Sequence, residues 1–119
     1  MRLAALLACV GALAVTVPSS PAAARRVHGA RIPDPSDPVP GEGATFVVRR
    51  PWARVLRELR RTYGKTPGVV IRRVDTPPSV KAFYVENTRR GRAWDGINVY
   101  EVLRSGTVYV SVLPARKPR

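Results

Sequence analysis

Apolar residues recur along this chain with two different periods. Trp52, Val55, Leu56, Leu59 and Tyr63 fall at i, i+3, i+4, i+7 and i+11, a single stripe at the helical repeat. Pro51 suits the first turn of such a helix, and Gly64 supplies its stop. Elsewhere the period is two. Val108, Val110 and Val112 alternate with Thr107, Tyr109 and Ser111 across Thr107 to Leu113. Similar runs rich in β-forming residues occupy Ala44 to Arg49, Gly68 to Asp75, Val80 to Asn87 and Gly96 to Arg104, and Ser105-Gly106 makes a short turn before the last run. These spacings predict an α+β fold of order β-α-β-β-β-β. A four-stranded antiparallel meander plus a short N-terminal strand forms a small sheet, with one amphipathic helix packed on one face.

The turn before the last strand fixes which residues share a face. A two-residue Ser105-Gly106 turn puts Glu101 opposite Val110, among valines, a desolvated setting of the kind in which a carboxyl group can serve as an acid. A three-residue loop, Arg104 to Gly106, shifts the register by one and leaves Glu101 in water beside the arginines. The second register is the expected one, so Glu101 is not taken as an acid catalyst.

Residues 25–43 show neither period. Prolines at 33, 35, 38 and 40 interrupt RRVHGARIPDPSDPVPGEG, which reads as a flexible, partly polyproline linker ahead of a domain over 44–119 that ends in a short basic tail. His28 lies in this arm among Arg25, Arg26 and Arg31, a poor setting for a metal ligand or a general base. Asp34, Asp37 and Glu42 lack the loop spacing of a cation site.

Residues 1–24 read as a secretory signal peptide. Arg2 precedes the apolar run Leu3 to Val17, Pro21 breaks it, and Ala22-Ala23-Ala24 offers the small residues for cleavage after Ala24. The run is shorter than the ~20 residues that span a bilayer. Leu6-Leu7-Ala8-Cys9 also resembles a lipoprotein box, which would instead make Cys9 the first residue. Cleavage after Ala24 predicts an exported protein, periplasmic or secreted, without cysteine and hence without a disulfide.

Charge changes the picture most. The whole chain carries 21 Lys and Arg against 8 Asp and Glu, for a formal net charge of +13. Such an excess favours anionic partners, although few lysines beside many Arg, Ala, Pro and Gly is also the mark of a GC-rich genome. On the helix, Arg54, Arg57 and Arg61 cluster within about 60° of arc opposite the apolar stripe, a ridge that Arg49, Arg50, Arg60 and Lys65 extend. Glu58 can pair with Arg54 or Arg61, the reading in which this face is simply solvated. Arg49 and Arg50 nevertheless stand at the positive end of the helix dipole, which favours an anion there. A second cluster, Arg89, Arg90 and Arg92 around Gly91, precedes Trp94 in the loop between two strands. Guanidinium groups pair bidentately with phosphate. Trp94 is expected to fold back on the core.

The candidate anion-binding residues are therefore Arg50, Arg54, Arg57, Arg61, Arg89, Arg90 and Arg92. The sequence predicts an exported basic binding module for an anionic envelope polymer or lipid headgroups, with no sequence-specific nucleic-acid recognition. The alternative is a protein-interaction or inhibitor domain that uses 107–113 as an edge strand for strand addition, with the charge incidental. Neither a nucleophile motif nor a glycine-rich phosphate loop is present, and the domain over 44–119 contains no Cys or His; no enzyme activity, cofactor or metal is predicted.

Overall fold

The computed structural model describes residues 25–116; the leader and cleavage site expected at 1–24, and residues 117–119, lie outside the described residues. The elements in chain order are β1 (Arg25–Val27), β2 (Ala30–Ile32), β3 (Ser36–Pro38), β4 (Thr45–Val48), α1 (Trp52–Tyr63), β5 (Val69–Arg73), β6 (Val80–Asn87), β7 (Trp94–Val102) and β8 (Thr107–Pro114). The fold is α+β. A six-stranded antiparallel sheet has the order β3-β4-β8-β7-β6-β5, and β1 and β2 make a separate hairpin.

The helical stripe does what its period requires. Val55, Leu59 and Tyr63 are buried, with Trp52 and Leu56 packed beside them against the sheet. Trp52 meets Phe83 edge-to-face at 5.3 Å, and Tyr63 meets Trp94 in the same way at 5.4 Å. The sheet contributes its alternate positions: Phe83 and Val85 of β6, Ile97 and Val99 of β7, Val108, Val110 and Val112 of β8, and Phe46 and Val48 of β4. On the opposite face, Tyr100 and Tyr109 stack across β7 and β8.

The meander expected from β5 to β8 is present, but β8 is not its edge. β4 pairs antiparallel with β8, with Thr45 opposite Ser111 and Val48 opposite Val108. The helix carries the chain from β4 over the sheet to β5 at the far side, so the last strand is flanked by β4 and β7. Strand addition along 107–113 is therefore closed, because both sides of that backbone are already paired.

The β7–β8 turn also differs from expectation. Val102 pairs with Thr107, so the loop is the four residues 103–106, with Gly106 at φ 69°. Glu101 consequently faces Val108, on the core side of the sheet, instead of standing in water. Its side chain is only 14 % exposed, and Lys81 Nζ approaches it at 4.0 Å.

The segment expected to be a flexible linker is paired backbone. His28 and Gly29, both at positive φ, form the two-residue turn of the β1–β2 hairpin, as a type I′ geometry requires. Ala30 and Ile32 are fully buried. Tyr63 pins the hairpin to the helix: the Arg31 N–H donates to its hydroxyl at 2.7 Å, and the hydroxyl donates to the Arg31 carbonyl at 2.8 Å. β3 then pairs with β4 as an outermost strand, where a proline such as Pro38 does not break an interior ladder.

Candidate anion-binding surface

The outward side of α1 presents Arg54, Arg57 and Arg61, all exposed and opposite the buried Val55 and Leu59. None of the three has a carboxylate partner among the described residues. The local pairing that Glu58 could make with Arg54 or Arg61 does not form. Glu58 reaches back instead to Arg50, and the pair is about three-quarters buried. Arg49 is likewise answered by Asp37. Arg49 and Arg50 at the positive end of the helix dipole thus need no external anion, since both cations are met from within the fold.

The 88–92 loop is organised by Asn87, which is buried at the end of β6. Its amide nitrogen donates to the Trp94 carbonyl at 3.0 Å, while its oxygen accepts from the Arg89 Nε at 2.9 Å. Arg92 donates to Asp95 at 2.8 Å and to the Arg89 carbonyl at 3.0 Å. The Arg92 hydrogen bond is the main reason the Asp95 carboxyl is held below its usual range. Arg90 is exposed and without a carboxylate partner among the described residues. Trp94 is buried, as expected, so it offers no stacking face to a ligand.

Of the seven arginines singled out from the sequence, Arg54, Arg57, Arg61 and Arg90 are therefore available, whereas Arg50 and Arg92 are committed to Glu58 and Asp95. Arg89 holds the loop. It also brings the loop to the C-terminal end of α1, where its side chain packs beside Gly68. Arg89, Arg26 and Arg31 all exert their charge on the Tyr63 hydroxyl, yet burial prevails and its pKa is raised. Arg26 and Arg31 join this end only because the β1–β2 hairpin is docked, which a linker reading could not reveal.

A second feature lies on the flank of the helix. An open cleft of about 450 Å³ runs between α1 and β5, floored by Trp52, Leu56, Ile71 and Phe83 and rimmed by Arg60, Arg73 and Lys81. Among the described residues no group of three or more His, Cys, Asp or Glu side chains is placed to hold a metal ion, and no helix is long and apolar enough to cross a membrane. Compared with protein-family models, curated proteins and solved structures, the chain matches none.

Proposed function

We propose that this protein is an exported basic binding module that holds an anionic envelope polymer or lipid headgroup surface through Arg54, Arg57 and Arg61, with Arg90 of the 88–92 loop as a secondary contact. The observation that carries this reading is the withdrawal of Glu58. The only carboxylate on α1 is spent on Arg50, which leaves three exposed guanidinium groups on one helical face without a neutralising partner among the described residues. A face meant only for solvation would gain from i,i+4 pairing between Glu58 and Arg54. Three like charges along one face instead raise the local potential and draw in a polyanion.

Replacing Arg54, Arg57 and Arg61 by Gln keeps helix propensity nearly constant while removing three charges. Binding to heparin and to vesicles of anionic phospholipid at low salt should fall. Replacing Arg72, Arg104 and Arg116 by Gln removes equal charge elsewhere and should leave most binding intact. Equal loss in both triple variants would reduce the effect to net charge and end the specific-face reading. Export is the companion proposal, and the intact mass of the exported form should correspond to a chain beginning at Arg25; a mass that retains Cys9 would contradict it.

A further inference from the structure

We infer that the cleft between α1 and β5 receives an extended acidic peptide segment, which adds to the sheet as a new strand along β5. The proposal rests on a surface separate from the arginine face of α1.

The first observation is the backbone. β5 ends the sheet, with β6 on one side and no strand on the other among the described residues. The Val74 N–H donates to the Ala82 carbonyl at 3.3 Å, and the Thr88 N–H donates to the Gly68 carbonyl at 2.8 Å. Positions 68 and 74 thus turn toward β6, so by the alternation of an antiparallel ladder the N–H and C=O groups of Ile71 and Arg73 turn outward. The opposite outermost strand, β3, ends in Pro38 and carries the Asp37–Arg49 ion pair. Proline and charge are the usual protection of a strand edge. β5 contains no proline, its one ion pair, Arg72 with Glu86, stands on the sheet face away from the helix, and Val70 beside the outward positions is exposed.

The second observation is what lies alongside. Ile71 is opposite Val85 and Arg73 opposite Phe83, so both side chains stand on the helix-facing side, where the cleft is. An added strand would send alternate side chains into that cleft. Trp52, Leu56 and Phe83 suit a large apolar side chain there. Arg60 and Arg73 have no carboxylate partner among the described residues, and Lys81 has only the long 4.0 Å approach of Glu101. Charge complementarity selects acidic neighbours for that apolar side chain. A lipid tail would fill the floor but leave the outward amides of Ile71 and Arg73 unmet. A second copy of the chain would bring Arg72 and Arg73 of both edges together.

The test uses a short synthetic peptide with glutamate, leucine and glutamate at alternate positions and serine between them, titrated against the exported chain. Amide exchange at Ile71 and Arg73 should slow on saturation. N-methylating alternate peptide amides in the set that faces β5 should weaken binding by about tenfold or more, while methylating the other set should change it little. Combining Arg60→Gln with Arg73→Gln should weaken binding by about tenfold, whereas the Arg54, Arg57 and Arg61 variant should still bind. Retained binding in that variant holds even if the arginine face of α1 binds nothing, so the two proposals fail separately. Equal effects of the two methylation sets, or equal loss in the two arginine variants, would reduce the contact to charge and overturn the proposal. A dimer whose Ile71 and Arg73 amides are already protected would assign the edge to a second copy and overturn it too, as would displacement of the peptide by a single-chain fatty acid with no change in amide exchange.

Discussion

Tyr63 shows how much of this structure depends on single side chains. Its ring packs on Trp94 in the core, while its hydroxyl closes two hydrogen bonds with the backbone of Arg31. Tyr63→Phe keeps the ring and removes both bonds, and should lower stability by about 1–2 kcal/mol in denaturant melts. The pH dependence has a defined sign. Burial raises the folded-state pKa of Tyr63 above its ordinary value, so its contribution is complete below about pH 10 and is lost as pH rises through the raised value. The wild type should therefore lose stability on the alkaline side more steeply than Tyr63→Phe. Equal alkaline limbs would mean that the hydroxyl is not held protonated by the fold. Glu101 carries the opposite lesson about reading residues singly. Its face was decided by one residue of loop length, between a three-residue and a four-residue connection, a difference to which composition is blind.

At the scale of elements, α1 was the most legible, because one stripe at one period specifies both its length and its buried side. Leu59 is buried mid-stripe and Arg57 is exposed on the reverse face. Leu59→Ala should cost about 2–4 kcal/mol. Arg57→Ala should cost no more than about 0.5 kcal/mol, the range of ordinary surface changes. Denaturant melts that rank the two equally would mean the helix is turned the wrong way. The strands were legible too, from their alternation. Their neighbours were not. The Thr45 and Ser111 hydroxyls meet at 3.0 Å across a separation of 66 residues, and no local pattern records that β4 takes β8 as its partner. The β1–β3 segment was hidden for a different reason. Its proline content argues against interior strands, but β3 is an outermost strand, and the buried Ala30 and Ile32 alternate with Arg31 over only three residues, too short a run to read as a strand. The candidate site was half legible. Helical period placed Arg54, Arg57 and Arg61 on one face, whereas the capture of Arg50 by Glu58 and of Arg92 by Asp95 needed side-chain geometry.

Across the whole molecule, the excess of cations is unevenly answered. Glu58, Asp37, Glu86 and Asp95 each neutralise one arginine: Arg50 before the helix, Arg49 after β4, Arg72 on β5 and Arg92 in the 88–92 loop. The outer face of α1 receives none of them, so the long-range field should be strongest where the three unpaired guanidinium groups stand. Observing the arginine Nε–H signals by NMR while adding a short heparin oligosaccharide tests this most directly. The signals of Arg54, Arg57 and Arg61 should shift together and saturate, while those of the paired Arg50 and Arg92 and of the remote Arg104 stay nearly fixed. Shifts of similar size at every exposed arginine, rising without saturation, would contradict it.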